Sequence, residues 1–224
     1  MMERFELEHY LGLAEQYQVT VLAGMPPVIH SLVHSPQGTE KRLGSARLMI
    51  SGGGQLLPII WEAFDRRYHI LVANSYGLSE TIVIGSGTTT LPEYPNLTMN
   101  YRSVGVAVGY TEVAIVDADD PEKELAIDER GEIALRGPSI AKGYWNMPDA
   151  TAAVFRRDGW FLTGDIGYLD DQGILYVTDR KKDMIIMSGW KIYPTEVENV
   201  IIQHRLSLTS PSLVFLTSAK ARFR

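Results

Sequence analysis

Cysteine is absent from the chain, which excludes disulfides and thiolate metal sites. That absence leaves the compartment open; it is compatible with the cytosol, and a cytoplasmic protein is the expectation. Long apolar runs are also missing: none approaches membrane-spanning length. The opening "MMERFELEHY" is acidic and lacks the apolar core of a signal peptide. There is no excess of basic residues. A net charge of -6 removes the electrostatic footprint that nucleic-acid binding needs. The five histidines show no metal-ligand spacing, and there is no internal repeat or low-complexity segment. What remains is an ordinary globular composition, 45% hydrophobic and 21% charged over 224 residues, enough for one large domain or two small ones.

The periodicity divides the chain in two. Phe5, Tyr10, Leu11, Ala14 and Tyr17 fall near helical spacing. "VTVLAG" (Val19–Gly24) predicts a buried strand, and Pro26 and Pro27 suit the first turn of a second helix running through Val33. A strand at Ala46–Ile50, a helix from Pro58 to Tyr68 and a strand at His69–Ala73 follow. This alternation predicts a parallel sheet. After Gly105 the texture changes to short strands divided by Asp/Gly turns: Thr111–Asp117, Gly131–Gly137, "GWFLTGD" and Gly173–Asp179. That pattern predicts a small antiparallel barrel or meander. "RKKD" (Arg180–Asp183) reads as a charged linker, "MIIMSGWKIYP" as a core strand opening a hairpin, and "PTEVENVIIQH" as a capped helix.

Four stretches have the residue types of a nucleotide site, each with a plainer reading beside it. The glycines of "SGGGQLLP" (Ser51–Pro58) let backbone approach a ligand ahead of a helix N-terminus, or simply make a flexible loop. "NSYGLSET" (Asn74–Thr81) lies past the carboxyl end of a predicted parallel strand, where open α/β sheets bind ligands. There Tyr76 has a ring to stack on a base, Ser79 and Thr81 have hydroxyls for a phosphate, and Glu80 has a carboxylate for Mg²⁺. The alternative is a polar loop with a core tyrosine. Asp165, in "FLTGDIGYLDD", is an exposed turn acid or an acceptor for a ribose diol. Arg180, Lys181 and Lys182 form a basic cluster or a solvated linker. "IGSGTTTLPEY" (Ile84–Tyr94) imitates a phosphate loop but has no lysine, and reads as a surface loop.

Taken in order, "SGGG", "YGLSE", "GEIALRGPSIAKGYW", "WFLTGD" and "DRKKDMIIMSGWKIYPTEVE" resemble the adenylate-forming superfamily, specifically AMP-forming acyl-CoA synthetases. The resemblance covers the chain up to His204. It implies an α/β fold. Residues 1–179 would be the C-terminal part of a large AMP-binding domain, with 1–104 a parallel-sheet portion and 105–179 a distorted barrel. Residues 180–184 would be a hinge, and 185–204 the start of a small α+β domain. It implies ATP/AMP, Mg²⁺ and coenzyme A, with a small-molecule carboxylic acid as co-substrate. Gly52, Gly53 and Gly54 would line the adenine and acyl pocket, Tyr76 would stack on adenine, Ser79 would meet the α-phosphate, and Glu80 would bind Mg²⁺. Asp165 would take the ribose hydroxyls with Arg180 assisting. Lys182 would sit at the hinge, and Gly189, Trp190 and Lys191 by the coenzyme A channel. Gly77 would leave the acyl path open, which points to a medium or long chain, with an aryl acid not excluded. The competing readings are a peptide-synthetase-type or aryl-acid adenylation domain and a non-catalytic nucleotide-binding protein.

The family's lysine-bearing phosphate loop and its C-terminal lysine have no counterpart in these residues, so the chain is expected to be inactive alone. A complementing fragment encoded next to it would restore the first. The strands at 19–24, 46–50 and 69–73 are expected to lack sheet partners, and Gly105–Asp179 is expected to be the most independently ordered unit. The acid-free tail Arg205–Arg224 is expected to be an out-of-frame translation, since one restored base permits the sequence this family carries after the preceding helix.

Overall fold

The computed structural model describes residues 5–38, 40–82, 85–89, 93–94, 96–187 and 190–194. The expected helix after Tyr193 and the out-of-frame tail lie outside the described residues. The order is α1 (Leu7–Gln16), β1 (Val21–Ala23), α2 (Pro26–His34), β2 (Leu48–Ser51), α3 (Pro58–Tyr68), β3 (Leu71–Tyr76), β4 (Ser86–Gly87), β5 (Val106–Ala107), β6 (Glu112–Val116), β7 (Gly131–Arg136), α4 (Pro148–Val154), β8 (Phe161–Leu169), β9 (Leu175–Arg180), β10 (Ile185–Met187) and β11 (Trp190–Ile192). The fold is α/β, with parallel and antiparallel sheets. Among the described residues, no helix is long and apolar enough to cross a membrane.

The first sheet runs β1-β2-β3-β4-β5. β1, β2 and β3 are parallel, and β4 and β5 are added antiparallel. Proline opens both α2 and α3, where its missing N–H costs nothing. His69 ends α3 in the left-handed conformation, φ 53°. The helices bury Leu11, Ile29, Leu32, Trp61 and Phe64 in one core with Met49 and Val72 of the sheet. Arg67 on α3 donates to the carbonyls of Leu32, Val33, Ser35 and Gly38, closing the end of α2.

The unpaired-edge expectation is corrected for two of its three strands. β2 and β3 each have a strand on both sides; among the described residues β1 alone of the three is an edge. The partner that covers β3 is β4, in the stretch read as a surface loop. Ser86 there is fully buried and donates to the Val104 carbonyl at 2.9 Å.

The second sheet is antiparallel in the order β6-β7-β8-β9. It is open: among the described residues no ladder joins β6 to β9, so the distorted barrel is a four-stranded sheet. Its core is Ile115, Ile133, Leu135 and Leu175, and Tyr76 of the first sheet packs against it. Backbone joins the sheets as well. Val104 N–H donates to the Leu175 carbonyl (2.9 Å) and Leu175 N–H to the Gly105 carbonyl (2.8 Å). Residues 181–183 form a 3₁₀ turn leading to the β10–β11 hairpin. Ile185 of that hairpin is 52% exposed, so the "MIIM" strand is not a core strand at that position.

Candidate nucleotide site

The site lies where β2 and β3 end. Asn74, Ser75 and Tyr76 are the last residues of β3, and Ser51 pairs with Asn74 across the ladder. Gly52 follows directly. A Cβ at Gly52 would come within 2.6 Å of Ser75 Oγ, which donates to the Ser51 carbonyl at 2.9 Å. A side chain there would displace the Ser75 hydroxyl from the Ser51 carbonyl and crowd the Ser75 backbone. Gly53 has φ +74°, a conformation costly for other residues, and both Gly53 and Gly54 are exposed. Asn74 Oδ1 and Ser51 Oγ are buried and, among the described residues, have no hydrogen-bond partner. Such atoms are normally satisfied, so they mark a place that accepts a polar ligand atom or water.

Asp165 arrives from the second sheet through a bulge. Between the pairs Glu132↔Ile166 and Ala134↔Leu162, β7 contributes only Ile133, whereas β8 contributes Thr163, Gly164 and Asp165. Extra residues of this kind turn a side chain off its regular alternation. Gly164 makes the turn with φ +72°. The displaced polar groups find other partners: Thr163 Oγ1 donates to the Ile133 carbonyl (2.8 Å), and Asp165 N–H donates to Thr163 Oγ1 (3.1 Å).

So displaced, Asp165 is 3% exposed. The Tyr76 hydroxyl donates to its Oδ2 at 2.8 Å, and Arg180 Nε lies 3.2 Å from its Oδ1. Asp165 and Arg180 are cross-strand partners on β8 and β9. Burial raises the carboxyl's pKa, opposed by the Tyr76 hydrogen bond and by Arg180. Burial, then the adjacent carboxylate, raises the Tyr76 hydroxyl's pKa strongly, so it stays a donor. A carboxylate has about four lone-pair positions, and two are used here. The remainder suit a vicinal diol. Tyr76 is half-buried, its ring packed against the second core, and Asp165 is not an exposed turn acid.

Glu80 follows Tyr76 by one turn. Its Oε1 accepts from the Tyr144 hydroxyl at 2.7 Å, and its carbonyl accepts from Ala141 N–H at 2.8 Å. That hydrogen bond, with burial second, pushes the Tyr144 hydroxyl up to about 12. The other Glu80 oxygen has no protein partner among the described residues. Ser79 is exposed and Gly77 half-buried. Thr81 is buried with its hydroxyl bonded to the N–H and carbonyl of Leu78 at 3.0 Å each, so it caps its own turn and is not held out for a phosphate. If Glu80 holds Mg²⁺, replacing Tyr144 by Phe should leave the fold intact and weaken Mg²⁺-dependent ATP binding by about tenfold or more, since a hydrogen bond to a charged group is worth roughly 1.5–3 kcal/mol; titration of ATP with and without Mg²⁺ reads it.

Lys182 sits exposed in the 181–183 turn. Trp190 and Lys191 fall on β11, and Gly189 lies outside the described residues. The structure brings Tyr76, Asp165 and Arg180 into direct contact and keeps Gly52 and Glu80 on the segments flanking them. Sequence reasoning missed Asn74 and Tyr144. Of these, Asn74 carried the one available signal, its place at the carboxyl end of a parallel strand.

Comparison with known proteins gives the same family as the motif order. Residues 1–145 match the AMP-binding enzyme family. A 4-coumarate–CoA ligase-like protein of Oryza sativa subsp. japonica is 34% identical over 91% of this chain and 36% of its own length. A long-chain-fatty-acid–CoA ligase of Bacillus subtilis is 34% identical over 91% and 35%. Among solved structures, ATP-bound MatB from Rhodopseudomonas palustris superposes with a TM-score of 0.81 at 31% identity, over 91% of this chain and 39% of that one. The o-succinylbenzoate coenzyme A synthetase of Bacillus subtilis, in complex with ATP and magnesium, gives 0.77 at 33% identity, over 91% and 40%. The chain spans about a third of the length of the curated relatives it matches. With its motifs in order, its α/β fold shared and two-thirds of its residues matched, the chain belongs to the AMP-binding enzyme family of adenylate-forming enzymes.

Proposed function

We propose that this chain supplies the adenosine-binding part of an ATP-dependent carboxylic acid–CoA ligase. In that reaction a carboxylate oxygen attacks the α-phosphorus of ATP, pyrophosphate leaves, and the thiol of coenzyme A then displaces AMP from the acyl-adenylate. The observation that carries the reading is the contact of Tyr76, Asp165 and Arg180, drawn from two sheets to the end of β3. Asp165 takes the ribose hydroxyls, the Tyr76 ring lies against the base, and the orphaned Asn74 oxygen accepts from an adenine amine. Gly52–Gly54 let the loop pass close to the base, and Ser79 meets the α-phosphate.

Magnesium suits Glu80. The ion takes one or two carboxylates with phosphate oxygens and waters and needs no all-protein cage; among the described residues no group of three or more ligating side chains exists. Bound there, it would neutralise charge on the phosphates. Residues 180–184, with Lys182 exposed in their turn, are a hinge, and the hairpin carrying Trp190 and Lys191 begins the small domain that meets coenzyme A. The acid we favour is a medium- or long-chain fatty acid, because Gly77 puts no side chain in its path. The equal identity to a 4-coumarate ligase-like protein favours an aryl acid as the second reading.

The 224-residue chain by itself should hold AMP without consuming ATP. Among the described residues Arg180 is the one Lys or Arg in ion-pair contact with Tyr76, Glu80 or Asp165, and Asp165 already neutralises it. Calorimetric titration should show saturable AMP binding, and a pyrophosphate assay with decanoate or 4-coumarate, ATP, Mg²⁺ and coenzyme A should show none released. Absence of AMP binding by the folded chain overturns the nucleotide reading; pyrophosphate release overturns the inactivity.

A further inference from the structure

The bulge that aims Asp165 has a support that none of the site residues provides. Gly164, in the middle of it, gives its N–H to Glu132 Oε1 at 3.0 Å, a side-chain acceptor in place of a ladder carbonyl. The other oxygen of that carboxylate, Oε2, lies 2.7 Å from Lys181 Nζ. The Glu132 side chain is 4% exposed and that of Lys181 is 37% exposed. One buried carboxylate therefore holds the residue before Asp165 and the residue after Arg180. Those two segments carry the ion pair that faces the proposed ribose. Both ladders on β8 shift register here, between Glu132 and Ala134 on one side and between Ile166 and Gly167 on the other. Regular backbone pairing is thus weakest where the geometry matters most, and the side chain takes its place.

We propose that Glu132, clamped by Lys181, is a positioning residue that holds the Thr163–Asp165 bulge so that Asp165 and Arg180 present a fixed acceptor to the ribose hydroxyls of a bound adenosine nucleotide. Glu132 does not touch the ligand. The inference rests on the reading of Asp165 as the ribose acceptor.

Its test is the ratio of affinities for AMP and 2′,3′-dideoxy-AMP, measured by calorimetry on the 224-residue chain with thermal unfolding recorded alongside. The unaltered chain should prefer AMP by about tenfold or more. Glu132→Ala and Lys181→Met should bring that ratio to within about twofold of one while the dideoxy affinity holds. Glu132→Gln keeps an acceptor for Gly164 N–H but turns an amide NH2 toward Lys181, so it should lower the ratio as Lys181→Met does. A purely structural role would lower the unfolding temperature and leave the ratio as it was, and that result overturns the inference. Should Glu132→Ala fail to fold, Lys181→Met decides, because its lysine is partly solvated. Equal affinities in the unaltered chain overturn the ribose reading itself, and this inference with it.

Discussion

Replacing Asp165 by Asn is expected to weaken AMP binding about 100-fold and to leave the fold no less stable. The binding loss follows from chemistry. An ionised carboxylate accepts at both oxygens, whereas an amide accepts at one and presents a donor at the other. Charge-assisted bonds to a diol contribute roughly 1.5–3 kcal/mol each when shielded, and about 2.7 kcal/mol corresponds to 100-fold in affinity. Stability should move differently because burial raises the Asp165 pKa above its ordinary 3.8. The folded chain then holds this proton more tightly than the unfolded chain does. The stabilisation from the protonated carboxyl is complete below about pH 3.8 and is lost as pH rises through the folded value. Above that window the buried charge costs stability that the amide does not. Urea midpoints of the two proteins should nearly coincide near pH 3.5, and the variant should draw level or ahead at pH 7. A variant that loses binding and also unfolds earlier at pH 7 would make Asp165 a structural ion-pair member instead of a ligand acceptor.

Much of the fold was legible because its elements follow simple periods. α1, α2 and α3 each turn an apolar face to one core, and the prolines at α2 and α3 fix their starts. α4 was not legible: its seven residues bury none, so no apolar stripe exists to be read. β4 and β5 are two residues each, too short for alternation, and take their form from β3 beside them. Hairpin spacing gives antiparallel neighbours but carries no information on closure, so of the barrel and the meander it allows, the structure has the open meander. The site shows the same limit. The contact of Tyr76, Asp165 and Arg180 joins residues that the order of short motifs had singled out. Glu132 was not among them, because in "GEIALRG" it occupies an alternating strand position that reads as solvent-facing. It is buried only because β7 is covered on both faces and β8 bulges beside it. Asp165 itself sits off its strand's alternation for the same reason.

The second large effect concerns the seam between the sheets. Gly105→Ala is expected to abolish cooperative folding, and AMP binding with it. Gly105 has φ +84°, where any side chain is strained. A Cβ there would overlap the backbone carbon and oxygen of Gly87 and the nitrogen of Thr88. These are main-chain atoms of β4 and the residue after it, so no rotamer relieves the clash. Moving Gly105 away breaks its carbonyl's bond from Leu175 N–H, one of the two that tie the sheets together here. Left-handed strain alone costs about 1–2 kcal/mol, and a forced backbone shift with a broken buried hydrogen bond raises the total beyond about 4 kcal/mol. Domains of this kind have about 5–15 kcal/mol in all. Gly109→Ala is the matched control: nothing lies within 4 Å of a Cβ there, so its effect should stay within about 0.5 kcal/mol. Urea unfolding of the two variants side by side gives the answer. If Gly105→Ala unfolds like Gly109→Ala, the close packing of β4 against the seam is wrong. Tyr76 and Asp165 would then owe their contact to something other than this junction.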